Sequence, residues 1–149
     1  MALATMHALA TTPLAVDTTD ALATLHAQME DMQQGSTRVA FALASPGNRR
    51  STAGGGYNLR AFDRMVRNPT YAPLLSCRGY QVLRTRQSGD QFSALVSVLL
   101  AGGQLRAFEF VMSLQPSHVV DEHQLLEPYQ MARGHAPVWR TDSVVPSRT

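Results

Sequence analysis

Lysine and isoleucine are missing from this chain, and cysteine occurs once in 149 residues. Both missing residues are encoded by AT-rich codons, so their absence points to a GC-rich genome. The all-arginine basic set then reflects mutational bias, not selection for bidentate recognition. Lone Cys77 excludes an internal disulfide and a thiolate metal site within one chain. The longest apolar run, around Ala94–Ala101, is far too short to span a membrane, and it alternates as a strand does. Charged residues are scarce at 16% against 44% hydrophobic, a globular composition in which something else covers part of the surface. Residues 1–16, rich in Ala, Thr and Leu, lack the basic start and long apolar centre of a secretory signal, and the arginines of a complete transit peptide. They read as a presequence remnant or as a tail that orders against a partner.

The net charge of +2 conceals an uneven spread. Residues 38–106 carry ten arginines against Asp63 and Asp90, while the flanking segments are acidic. A basic middle suits nucleic acid, anionic lipid or an acidic protein surface. Because these arginines are scattered over loop, helix and strand, the pattern argues against nucleic acid.

Asp17-Thr-Thr-Asp20 supplies acids suited to a helix start, followed by Ala21, Leu22, Leu25, Met29 and Met32 at helical spacing and by Gly35 as a stop. Ser36 is expected to cap a second, shorter helix that Ser45-Pro46-Gly47 breaks. Asn48–Gly56 reads as a flexible loop. Its glycines beside Arg49 and Arg50 do not make a phosphate loop, since GxxxxGK[ST] and a preceding strand are both absent. Asn58 caps a third helix with Leu59, Phe62, Met65 and Val66 as its apolar stripe and Arg60, Arg64 and Arg67 on another face. From Cys77 the period becomes two. Strands centred on Tyr80–Thr85, Phe92–Leu100 and Phe108–Leu114, with turns at Ser88-Gly89-Asp90 and Gly102-Gly103, predict an antiparallel meander. An irregular polar segment, 116–137, precedes a last short strand, Val138–Val145, bearing the single Trp. Helices first and a meander afterwards point to an α+β domain over 17–146, its N-terminal helices packed on one sheet face, with a loop inserted at 116–137.

The motifs Ala40-Phe41-Ala42-Leu43-Ala44-Ser45-Pro46, Phe62-Asp63-Arg64-Met65-Val66, Tyr71-Ala72-Pro73-Leu74, Glu127-Pro128-Tyr129 and Trp139-Arg140-Thr141-Asp142-Ser143-Val144-Val145 resemble the DUF4864 family. That domain of unknown function belongs to the wider NTF2-like group, and the last two motifs are more similar to its plant and algal branch. The resemblance runs from about Leu22 to Pro146, with insertions before Glu127 and Trp139. It implies an NTF2-like cone of helices on a curved antiparallel sheet, no catalytic residues to carry over, and a chloroplast (alternatively mitochondrial) setting. Pro46 would end a helix, Phe62 and Met65 would fill a core, and Trp139 would pack on the last strand.

Within such a cone, His26 and Glu30 are four apart on one helical face, as an acid–base pair would require. Asp31, Glu109 and Asp142 are further inward candidates. His118, Asp121, Glu122 and His123 have metal-type side chains but no ligand spacing, so neither a metal nor another cofactor is expected. The expected function is therefore non-enzymatic: an accessory, assembly or repair factor binding protein subunits of a larger complex, photosynthetic and thylakoid-associated by context. Arg49, Arg50, Arg60, Arg64 and Arg67 are the expected partner-binding residues. The alternative is a small-molecule-binding or enzymatic cone using His26 and Glu30, and a homodimer through the open sheet face is compatible with either.

Overall fold

A computed structural model describes residues 18–52, 58–116 and 137–148. In chain order they form helices α1 (Ala21–Gln33), α2 (Arg38–Ala42), α3 (Pro46–Thr52) and α4 (Leu59–Val66), then a 3₁₀ turn (Ala72–Leu74). Strands β1 (Gly79–Ser88), β2 (Gln91–Leu99), β3 (Leu105–Gln115) and β4 (Val138–Ser147) come next. They pair antiparallel in the order β1-β2-β3-β4, so the architecture is α+β. The N-terminal tail, Asp17 and all but the two ends of the 116–137 insertion, its histidines and acids included, lie outside the described residues.

Asp20, not Asp17 as the sequence suggests, is the N-cap of α1, its carboxylate accepting from the Ala23 N–H at 2.8 Å. Gly35 ends the helix at φ +87°, where a side chain would strain the backbone, and its N–H returns to the Met32 carbonyl. Leu25, Met29 and Met32 are the buried stripe, at 0, 0 and 3% exposure. Burial of each such side chain stabilises by about 1.5–3 kcal/mol. They meet alternate residues of the sheet in one cluster: Phe92, Val96 and Val98 of β2, Phe108, Phe110 and Met112 of β3. The period-two pattern of the central strands therefore marks the face that the helices cover.

Two bulges interrupt it. Leu83 has no partner between the Val82–Val96 and Arg84–Leu95 pairs, and Asp142 has none between Thr141–Met112 and Ser143–Val111. An extra residue bends its strand and moves the next residues to the opposite face. Leu83 is consequently half exposed, and β4, which runs on to Ser147, regains register only after Asp142. Tight turns at Gly89, φ +58°, and Gly103, φ +90°, close the hairpins.

The helical layer departs from its local reading in three further places. Thr37, not Ser36, is the N-cap of α2, and the cap bond comes from the previous helix: Asp31 Oδ2 accepts from the Val39 N–H at 3.0 Å and from the Ser36 hydroxyl at 2.9 Å. Pro46 does not merely end α2. It opens α3, a position where its fixed φ suits a helix, with the Ser45 carbonyl and hydroxyl accepting from Arg49 and Asn48. Asn48–Thr52 is therefore helix, not loop, and residues 53–57 lie outside the described set. Met65 is 45% exposed, so Phe62 and Val66 alone form the fully buried stripe of α4.

Arg49 explains why a Gly- and Arg-rich stretch is helical. Its guanidinium is 1% exposed, donates from Nε to the Phe41 carbonyl (3.0 Å) and from a terminal nitrogen to the Ala42 carbonyl (2.8 Å), and lies 4.8 Å from the Phe41 ring centroid. From the other side, fully buried Arg140 of β4 donates to the Ala42 and Ala44 carbonyls, both at 3.2 Å. Two cations thus satisfy the carbonyl end of α2, where negative partial charge collects. Backbone bonds between Ser45 and Thr141, and between Thr141 and Leu43, fasten the same segment to β4. Arg49→Ala should lower unfolding free energy by about 3 kcal/mol, through lost charged hydrogen bonds and buried carbonyls left unmet. Arg50→Ala, next door and exposed, should change it by less than about 0.5 kcal/mol, with urea unfolding midpoints as the measurement.

Candidate functional site

Three places bear on function: the His26 neighbourhood, a cavity between helices and sheet, and the basic surface of α4. His26 and Glu30 do share a face of α1, but no hydrogen bond or ion pair joins them among the described residues. The imidazole Nδ1 instead meets the hydroxyl of Tyr80, on β1, at 2.6 Å, with the rings tilted 5.6 Å apart, and Glu30 is exposed. Burial, and then the charges of Glu30 and Cys77, push the Tyr80 phenol up to about 12. The pair clamps α1 to β1 beside the buried Cys77, whose thiol burial also pushes up, away from a reactive thiolate. Of the other inward candidates, Asp31 is engaged in capping and Glu109 is exposed opposite the phenylalanines. Asp142 sits on the β4 bulge, 3.4 Å from the Gln115 amide. Among the described residues no group of three metal-type side chains converges.

The cavity, of about 90 Å³, lies between the four helices, the 3₁₀ turn and strands β3 and β4. Its apolar wall includes Met32, Val66, Leu74 and Phe110. Its polar wall is a chain of neutral groups: Gln28 bonds the Thr141 hydroxyl (2.7 Å), Asn48 donates to the Thr141 carbonyl (3.0 Å), and the Thr52 hydroxyl donates to Asn48 (2.8 Å). Neither His26 nor Glu30 lines it. Such a site suits a small neutral molecule by shape and hydrogen bonding, and Tyr71 is the one titratable side chain in its described lining.

The expected partner-binding arginines divide into three groups. Arg49 is interior, so it is withdrawn from any surface; a guanidinium reaches bare carbonyls only when the tertiary fold presents them, and spacing gives no sign of that. Arg67 is exposed but already engaged, bonding Asp63 Oδ2 (2.9 Å) and the Gly35 carbonyl (2.7 Å). The bond to Asp63, with one from the Thr37 hydroxyl, holds the Asp63 carboxyl below its usual range despite partial burial, and the Asp63 contact raises Arg67. Arg50, Arg60 and Arg64 are exposed, with no ion pair among the described residues. Arg60 and Arg64 stand on the solvent side of α4 with Met65. Arg38, Gln28, Tyr80 and Thr141 were not singled out from sequence, although Tyr80 lies at an inward-facing position of β1.

No family model matches the chain, and no curated protein or solved structure matches it.

The Tyr80 environment has a measurable consequence in alkali. Because the folded state holds this proton more tightly than the ordinary value of 10.0, the associated stability is complete below pH 10 and is lost as pH rises toward 12. The chain has no lysine to titrate in that window. Tyr80→Phe should cost about 1 kcal/mol at neutral pH and flatten the decline above pH 10, read from thermal unfolding at stepped pH.

Proposed function

We propose that this chain is a non-enzymatic NTF2-like domain that docks on other proteins as an accessory, assembly or repair factor of a larger complex. The observation that carries this reading is the outer side of α4, where Met65 is 45% exposed and Arg60 and Arg64 are exposed and unengaged. An exposed thioether on the same helix as free guanidiniums offers both desolvation and charge to a partner, the composition of an interface anchor. The NTF2-like part of the reading is supported by four helices ahead of a four-stranded antiparallel sheet whose first and last strands carry bulges. The motif resemblance to the DUF4864 family adds the setting: a plastid, with a photosynthetic membrane complex as the partner class, and a mitochondrion as the alternative. No helix among the described residues is long and apolar enough to cross a membrane, so a membrane complex would be met at its surface.

A second reading is favoured by the cavity alone. Its neutral polar chain and apolar wall suit a small uncharged ligand, without any acid–base role for His26 and Glu30.

Gentle affinity purification from the native organism, followed by native sizing and mass spectrometry, tests the first reading. Wild-type chain should recover a stoichiometric complex, and a Met65→Asp, Arg64→Glu double variant should lose most of it while melting like wild type. A wild-type chain that migrates alone would overturn the proposal. For the second reading, solvent extraction of the purified chain should release one small molecule in near-stoichiometric amount. Val144→Phe, which fills the cavity, should abolish its recovery.

A further inference from the structure

Beside α4, on the flank turned toward α2, runs a shallow groove of about 550 Å³ whose walls carry three arginines and one acid. Arg38 comes from the first turn of α2, Arg60 and Arg67 come from α4, and Leu59 contributes an apolar patch. The single acid, Asp63, is saturated by its own chain: Oδ1 accepts from the Thr37 hydroxyl at 2.7 Å and Oδ2 from Arg67 at 2.9 Å. Arg38 and Arg60 are exposed and make no ion pair among the described residues. The groove therefore presents two guanidiniums whose charge the described part of the molecule leaves uncompensated.

The position of Arg60 is also unfavourable for stability. Arg60 is the second residue of the eight-residue helix α4, whose first turn holds no acid. A cation there opposes the helix dipole. A carboxylate arriving at this flank would meet the opposite situation, attracted by the helix end and by two free donors forked for bidentate contact.

From this we infer that the groove between α2 and α4 is the docking site for an acidic peptide segment of a partner protein, one that sets Asp or Glu side chains on Arg38 and Arg60 and an aliphatic side chain on Leu59. The inference rests on the docking function proposed above and supplies its partner chemistry. A polynucleotide fits the groove less well. Asp63 stands in the floor and would repel a continuous phosphate backbone, whereas a peptide can place an uncharged residue there. Among the described residues no aromatic side chain lines the groove to stack a base. Both pairs are open to water, so each contributes modestly, and the contact is weak, salt-sensitive and specific through its combination of charges.

The test is a titration of the isotope-labelled full chain, monitored by amide chemical shifts, with three probes: a short blocked peptide of Glu and Asp around a central Leu, its Gln/Asn counterpart, and a short single-stranded oligonucleotide. Shifts confined to Ser36–Arg38 and Leu59–Arg67 with the acidic peptide, absent with its neutral counterpart and reduced by salt, would support the inference. Arg38→Glu with Arg60→Glu should weaken that binding at least about tenfold, with a melting temperature no lower than wild type confirming the fold. Arg50→Glu, also exposed and basic but outside the groove, should leave it unaffected. Absent or scattered shifts, or tighter binding of the oligonucleotide, would overturn the inference. So would a native complex that survives the Arg38→Glu, Arg60→Glu change, although the docking function itself would then stand. Peptide binding in a chain that recovers no native complex would uphold the groove and defeat the accessory-factor reading.

Discussion

Two buried guanidiniums on the carbonyl end of a five-residue helix hold the helical layer to the sheet. Helix α2 is too short to persist alone, since nucleating a helix is costly and a single turn recovers few bonds. Its beginning is capped by Asp31 from α1, and its end is satisfied by Arg49 from α3 and Arg140 from β4. Four pieces of structure therefore meet on five residues. Burying cations is expensive, and charged hydrogen bonds from Arg49 and Arg140 to the clustered carbonyls of Phe41, Ala42 and Ala44 offset part of that cost here. The sharp path from α2 into α3 has the same origin, because that turn aims those carbonyls at both arginines.

This anchorage also positions the candidate functional surfaces. The bonds that fasten α2–α3 to β4 pass through Thr141, whose hydroxyl and carbonyl are part of the polar wall of the cavity. Thr37, at the start of α2, bonds Asp63 of α4, and Asp63 bonds Arg67, which reaches back to Gly35. That chain of contacts sets the width of the groove while leaving Arg38 and Arg60 outside it, free for a partner. Arg49 and Arg67 are thus bound into the fold, while Arg38 and Arg60 on neighbouring turns stay exposed and without an ion pair among the described residues.

Much of the framework was legible in the sequence because it depends on local periodicity. The stripe Leu25, Met29, Met32 and the alternation Phe92, Ala94, Val96, Val98 are consequences of turn and pleat geometry acting on one segment at a time. Gly35, Asn58 and the hairpin glycines mark positions where backbone strain or an unpaired N–H demands particular residues, so they too read correctly. The exposed pair Arg60 and Arg64 came from helical spacing in the same way.

The failures have a common physical form. Arg49 looked like surface because charge is normally solvated, and α3 looked like loop because serine, glycine and arginine beside a proline suggest a break locally. Both outcomes turn on carbonyls delivered by other elements. Met65 was assigned to the core by its stripe, yet on α4 Phe62 and Val66 are buried, Leu59 and Ala61 pack at the core's edge, and Met65 is turned to solvent. His26 and Glu30 share a helical face as spacing demands, but β1 placed Tyr80, not the cavity, opposite them. Sequence by itself determined the class of fold, the faces of its long elements and the basic character of its middle, because hydrophobic period and charge are carried by each segment alone. Only the tertiary structure decided which arginines are structural and which are free, because that depends on where backbone acceptors from distant segments come to rest.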